Sequence, residues 1–244
     1  MSKEEEEIPI WNFRETCTIS LNKQGGELWK KIRLGAIQAS LISEICDRTY
    51  HSEAFPKRTP QEIANILCGI GVQAFTPTQE LAMADGVIGE PIVREWFSKE
   101  IIKKPINEVG VAIWKKDPYF RASLDGETVN EENEDIGIEI KVPGKLAAKY
   151  IHIVQSWGKS LNNPHPESYI FPNHYDQIMT GCNITNKKGA YYVVACLKDG
   201  TAFYQYLETD TQLWNEVLYP KAKIFHNTYV LPLIKEKQID VIFP

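Results

Sequence analysis

From Ile136 to Pro143 the chain reads Ile-Gly-Ile-Glu-Ile-Lys-Val-Pro. As a strand, this alternation puts Ile136, Ile138, Ile140 and Val142 on one face and Gly137, Glu139 and Lys141 on the other. The isoleucine face seeks a core, so the Glu/Lys face is expected to open away from it. The polar, acidic stretch Asn130 to Asp135 reads as a connecting loop. Folding back across it brings Asp125 near Glu139. Further strands are predicted near Val109 to Trp114 and Ala122 to Leu124, and a hairpin from Ala190 to Leu197 and Thr201 to Tyr206 through Lys198-Asp199-Gly200. Helical spacing of Leu28, Ile32, Ile37, Leu41 and Ile45 predicts one helix over Leu28 to Ile45. Thr59-Pro60-Gln61-Glu62 starts another, a threonine cap with proline in the first turn, running to about Leu67. Thr78 to Asp85, Pro91 to Glu100, Lys145 to Gln155 and Pro172 to Cys182 also read as helices. Thr211 to Phe225 reads as a closing helix with Leu213, Val217, Leu218 and Ile224 toward the core and Pro220 as an interruption. Tyr191, Tyr192, Phe203, Tyr204 and Tyr206 read as sheet core. The fold class that follows is α/β, a central mixed β-sheet flanked by helices.

Composition narrows the class. At 244 residues and 43% hydrophobic, the chain can bury a sizeable core. An acidic tail is expected over residues 1–10 and a single domain over 11–244. No repeat or low-complexity linker interrupts it. No apolar run is long enough to span a membrane, and no secretory signal is expected. Five scattered cysteines, an odd count with no Cys-x-x-Cys pair, argue against a disulfide scaffold, a zinc site or a four-cysteine iron–sulfur cluster. The net charge of −5 is unevenly spread. Glu131, Glu132, Glu134 and Asp135 form one acidic block and Glu4 to Glu7 another, whereas Lys141 to Lys159 holds four lysines and no acid. Such stripes can line a groove that follows a phosphate backbone, or simply be solvated surface.

Ser123-Leu124-Asp125-Gly126 followed by Glu139-Ile140-Lys141 carries the candidate chemistry. Two carboxylates on adjacent strands can hold a hard divalent cation. A lysine on the same face can activate or orient a water, or meet charge building on a phosphate. Read alone, Asp-Gly is equally a turn, and Glu139 and Lys141 equally solvated charges. Arg33 reads alone as a surface arginine, Ser40 as a hydroxyl bonded to its own helix, Glu90 as a carboxylate at a helix start with Pro91 in the first turn, and Gln177 as an exposed amide.

Four segments in order change that balance: Trp29-Lys30-Lys31-Ile32-Arg33-Leu34-Gly35-Ala36-Ile37-Gln38-Ala39-Ser40, then Gly86 to Pro91, then Asp125 with Glu139-Ile140-Lys141, then Tyr175-Asp176-Gln177. Together they resemble the phage lambda exonuclease family, the YqaJ-type viral recombinases of the PD-(D/E)xK, restriction-endonuclease-like fold. The resemblance runs from about Trp29 to about Phe203. It implies a Mg²⁺-dependent DNA exonuclease, 5′→3′ on duplex ends, with Mn²⁺ able to substitute. It implies Asp125, Glu139 and the Ile140 carbonyl as metal ligands and Lys141, Glu90 and Gln177 as further catalytic groups. Arg33, Ser40 and Ser123 are the implied binders of a DNA 5′-phosphate. Implied partners are double-stranded DNA ends, a single-strand annealing protein and further copies of the chain in a ring-shaped trimer. The implied setting is the cytoplasm or nucleus of an infected host cell, in recombination, repair or genome processing. Two departures stand out. The family's further acid before the motif aspartate has only Asp117 as its nearest counterpart, at a shorter spacing, with no firm role. The stretch from Lys141 to Gln177 is longer and rich in Asn and Pro. The alternatives are a structure- or sequence-specific endonuclease of the same fold and a non-catalytic DNA-binding scaffold.

Overall fold

The computed structural model describes residues 8–49, 56–71, 76–143 and 170–244. The segment read as helical over Lys145 to Gln155 lies outside them, as do residues 1–7 of the acidic tail. Among the described residues, nine strands form two sheets rather than the single one expected. The first runs in the order β1 (Trp11–Phe13), β2 (Cys17–Ser20), β4 (Ala112–Trp114), β5 (Phe120–Ala122) and β3 (Ile37–Gln38). It is antiparallel except for the β3–β5 pair. The second runs β6 (Gly126–Val129), β7 (Asp135–Lys141), β8 (Gly189–Cys196), β9 (Thr201–Glu208). Its central β7–β8 pair is parallel and both outer pairs are antiparallel.

A parallel central pair is normally covered on both faces, and this one is. Ile138 and Ile140 pack with Val193 and Ala195 beneath Val93 and Phe97, which come from helix α4 (Pro77–Trp96) and the π-helical turn after it. The opposite face, expected to be open, is also closed: Glu139 is 0% exposed. Its cross-strand neighbour Tyr192 joins the main core with Ile178 and Cys182 of α5 (Pro172–Thr185). Trp114, Phe120, Trp214 and Tyr219 interlock edge-to-face at the other end of that core.

Several expected elements shift for local reasons. The helix expected over Leu28 to Ile45 stops after α1 (Glu27–Arg33). Gly35 takes φ +67, its N–H donates to Leu67 O, and a Cβ there would lie 2.7 Å from Val241 Cγ2. The chain then runs through β3 and a 3₁₀ turn to α2 (Ile42–Ile45). Helix α3 (Pro60–Leu67) begins with the expected cap: Thr59 Oγ1 accepts from Glu62 N, and the Glu62 carboxylate accepts from Thr59 N. The two helices read around Gly86 are one, α4, with Pro91 inside it rather than in a first turn. A Cβ on Gly89 would lie 2.6 Å from Val142 Cγ1, so glycine lets α4 press against the end of β7. The closing helix continues as alternating α and π turns to Lys237. It buries Trp214, Leu218, Ala222 and Phe225, while Ile224, expected inside, is 66% exposed. Of the hairpin tyrosines only Tyr192 is fully buried; Tyr204 and Tyr206 are exposed.

Candidate active site

Register builds the centre of the site. Gly126 pairs with Ile138 at the start of β6, so Asp125, one residue earlier, falls beside Glu139 and Ile140. Its Oδ2 accepts the Ile140 N–H at 2.7 Å. An N–H and C=O of one strand residue point to the same side of the strand, so the Ile140 carbonyl faces the Asp125 side too. Glu139 Oε1 accepts from Lys141 Nζ at 2.5 Å and from Gln177 Nε2 at 2.6 Å. Gln177 reaches it because α5 lies across that face. Glu139 Oε2 is buried and has no hydrogen-bond partner among the described residues.

Glu90 enters from α4. Arg94, one turn on, donates to Glu90 Oε1 at 2.9 Å and lies 3.1 Å from Glu108 Oε2. Burial, and then the Asp125 charge, push Glu139 up to about 8 and Glu90 to about 7. Asp125 is pushed up as well, chiefly by burial, against the pull of the Lys141 ammonium. Three carboxyls that resist ionisation together, one with an orphaned oxygen, fit a small hard cation that would offset their charge. No three His, Cys, Asp or Glu side chains converge as a metal cage among the described residues. The groups that could hold a cation are two carboxylates and a carbonyl. That suits Mg²⁺, which keeps several waters and takes few protein ligands.

The remaining expected residues gather nearby. Arg33 stacks with its guanidinium carbon 4.0 Å from the centre of the Trp29 ring and donates to Ser40 Oγ at 3.3 Å. Trp29 Nε1 donates to Ser123 Oγ at 3.3 Å, and Ser123 donates to Gly110 O. Burial lowers Arg33 to about 10, which leaves it cationic near neutrality. One cavity of about 170 Å³ is lined by Arg33, Ser40 and Ser123 and equally by Asp125, Glu139, Lys141 and Gln177. Glu90 lines a neighbouring cavity that shares Lys141 with the first.

Asp117 is elsewhere. It is held by Lys223 at 2.6 Å and by the Tyr219 hydroxyl, so it braces the C-terminal helical run. The acid that does approach the site is Glu108, whose charge is felt at Asp125 and Glu90. Arg94 and His174 were also missed. His174 lines the cavity with Glu90 and Lys141, bonds the Tyr192 hydroxyl through Nδ1, and is held well below its ordinary pKa by burial and the Lys141 charge. Nothing local in the sequence marks Glu108 and His174, because each acts across a tertiary contact, whereas Arg94 stands four residues from Glu90 on the same helix, a spacing at which two side chains meet.

Comparison with known proteins follows the same line. The YqaJ-like viral recombinase domain matches residues 28–188. An alkaline exonuclease from Laribacter hongkongensis, LHK-Exo, superposes with a TM-score of 0.61 at 21% identity, over 87% of this chain and 98% of that one. The same enzyme in complex with dAMP gives 0.62 at 21% identity, with equal coverage. A phage-related exonuclease from Haemophilus somnus 129PT gives 0.57 at 11% identity, over 83% of this chain and 96% of that one. No curated protein matches. At these identities the structures establish a shared fold, the PD-(D/E)xK nuclease fold.

Proposed function

The chain belongs to the YqaJ-like viral recombinase family, and we propose on that premise that it is a Mg²⁺-dependent DNA exonuclease that degrades duplex ends 5′→3′. The observation that carries this reading is the single cavity that joins Asp125, Glu139, Lys141 and Gln177 to Arg33, Ser40 and Ser123. A cation-binding carboxylate pair and an anion-binding arginine pocket in one small space suit a substrate that offers both a scissile diester and a terminal phosphate.

Asp125, Glu139 and the Ile140 carbonyl would hold the cation. Bound there, it would polarise the scissile phosphate and lower the pKa of a bound water. Gln177 and Lys141 both grip Glu139 Oε1, which turns Oε2 toward ligation. Lys141 lines the cavity and can donate to the attacking water or to a phosphate oxygen as charge builds. Arg94 holds Glu90 at the edge of this group. Arg33 offers a planar fork to a terminal phosphate, pre-set by stacking on Trp29, with the Ser40 and Ser123 hydroxyls beside it.

A ring-forming homo-oligomer, a trimer before a monomer, belongs to the same reading. Leu81, Val87, Ile88 and Ile92 leave apolar surface exposed on α4, the kind of surface that a subunit contact covers. A role in viral recombination or genome processing is likewise proposed from the family. The test of the chemistry is a digest of end-labelled linear duplex beside covalently closed circular DNA, with Mg²⁺ or with chelator. Loss of the linear form alone, in Mg²⁺ alone, is expected. Cutting of the circle would turn the reading to an endonuclease, and binding without cutting to a scaffold.

A further inference from the structure

Arg121 is 1% exposed, among the bulkiest fully buried side chains of the described residues. Its Nε donates to Pro118 O at 3.2 Å and its Nη2 to Ile242 O at 2.8 Å. The guanidinium carbon sits 5.5 Å from the centre of the Phe243 ring. Nη1 is buried without a partner, and no carboxylate pairs with Arg121 among the described residues. A buried cation served only by carbonyls is costly unless something compensates its charge.

Its position suggests what does. Arg121 in β5, Ser123 and Asp125 are alternate residues of the short segment that leads from β5 through a bend to β6. All three line the cavity that also holds Arg33 and Ser40. The cavity is therefore lined by two arginines, neither paired with a carboxylate among the described residues. A phosphodiester carries one negative charge. A terminal phosphomonoester carries about −1.5 to −2 at pH 7. Two arginines are matched to the second and excessive for the first.

We propose that Arg121 is the second guanidinium of the terminal-phosphate pocket, held in place by Ile242 and Phe243, and that it sets the preference for a phosphorylated DNA end. The inference rests on the reading of this cavity as the site of a 5′-phosphorylated end. It gives the C-terminal residues a role. Ile242 packs against the cluster of Leu28, Ile32, Val111 and Ile113, so the segment that fixes Arg121 also braces α1, which carries Arg33. Arg121 does not touch the reacting diester; it acts on the end that is held.

The experiment is equilibrium binding in Ca²⁺ of two labelled hairpin duplexes, one ending in 5′-phosphate and one in 5′-hydroxyl. The full chain is compared with Arg121→Gln, Arg121→Lys and Phe243→Ala, with a thermal midpoint for each. The affinity ratio between the two ends is expected to fall by about tenfold or more in Arg121→Gln, the effect of losing a hydrogen bond to a charged group. Arg121→Lys should keep part of the ratio, and Phe243→Ala should lower it less. If Arg121 only staples the C-terminal segment, the midpoint falls while both duplexes weaken equally; an unchanged ratio overturns the proposal. If neither Arg121 variant folds, the ratio in Phe243→Ala decides it alone, and no change there overturns it. A parental protein with equal affinity for both ends removes the phosphate pocket itself, and Arg121 falls with it. A parental preference that Arg121→Gln leaves intact removes only Arg121.

Discussion

Replacing Glu139 by glutamine should stabilise the metal-free protein at high pH and not at low pH. A carboxyl that titrates near 8 when folded, against an ordinary 4.5, resists ionisation because it is fully buried beside Asp125. Between those values the folded state keeps a proton that the unfolded chain has released, so rising pH favours unfolding. The stabilising contribution is complete below pH 4.5 and is lost as pH climbs through 8. Borne by Glu139 alone, the difference would be about 5 kcal/mol. Asp125 and Glu90 are pushed up with it, so removing one charge should recover a part, about 2 kcal/mol, or ~5 °C in midpoint for a chain of this size. The assay is thermal unfolding of parent and Glu139→Gln from pH 5 to pH 8.5 in chelator. The glutamine variant should gain on the parent by that amount across the range, whatever offset its packing imposes at pH 5. Added Mg²⁺ at pH 8 should then raise the parent's midpoint and leave the variant's unchanged, since ligand binding stabilises only the form that binds. A difference between the two proteins that stays constant with pH would refute the argument that burial opposes ionisation here.

The other expectations are simpler. Asp125→Ala should abolish Mg²⁺-dependent cleavage, and Lys141→Ala should slow it by about 10²–10⁴-fold, both with unchanged far-ultraviolet circular dichroism; a folded Asp125→Ala protein that digests duplex at the parental rate would remove the metal-site assignment. Gly35→Ala should lower stability by about 1–3 kcal/mol, since a Cβ at φ +67 is strained and would press on Val241 Cγ2, and a denaturant midpoint equal to the parent's would contradict that. Light scattering at micromolar concentration should give a mass near three chains; a monomer with and without DNA would dismiss the ring and leave the chemistry, whose proposed groups all lie in one chain.

The parts of the fold that could be read from sequence are those written in local pattern. The alternation of Ile136 to Val142 gives β7 and the shared face of Glu139 and Lys141, and Thr59-Pro60-Gln61-Glu62 gives the start of α3. What pattern could not give is depth. Gly137, Glu139 and Lys141 look like a wet strand face, yet α5 covers it, because the partner strand β8 and that helix come from some 30 to 60 residues later in the chain. Likewise the helical spacing from Leu28 to Ile45 is interrupted at Gly35, whose left-handed turn leaves no room for a Cβ beside Val241 and Ile234, a closeness that only the folded C-terminal segment creates. Glu108 and His174 were illegible for the same reason: their neighbours at the site are distant in sequence.

Arg33 and Asp125 were paired in the sequence reading by family resemblance alone, and the topology supplies a physical reason for their proximity. The first sheet ends its descent at β5 and the second begins at β6, with Ser123, Leu124 and Asp125 as the whole connection. Leu124 turns into the core, where it fills the space left by Gly137 and Gly181. The residues on either side of it must then face the other way, Ser123 toward Trp29 and Asp125 toward the N–H of Ile140. The pocket proposed to hold the DNA end and the carboxylates proposed to hold the metal are therefore two residues apart on a stretch pinned by one buried leucine. Leu124→Ala should accordingly disturb both at once, with a stability loss of about 2–5 kcal/mol and a fall in both cleavage rate and 5′-phosphate preference. A variant that lost stability while keeping the parental rate and preference at a temperature where it remains folded would separate the two halves of the site and undo this account of their coupling.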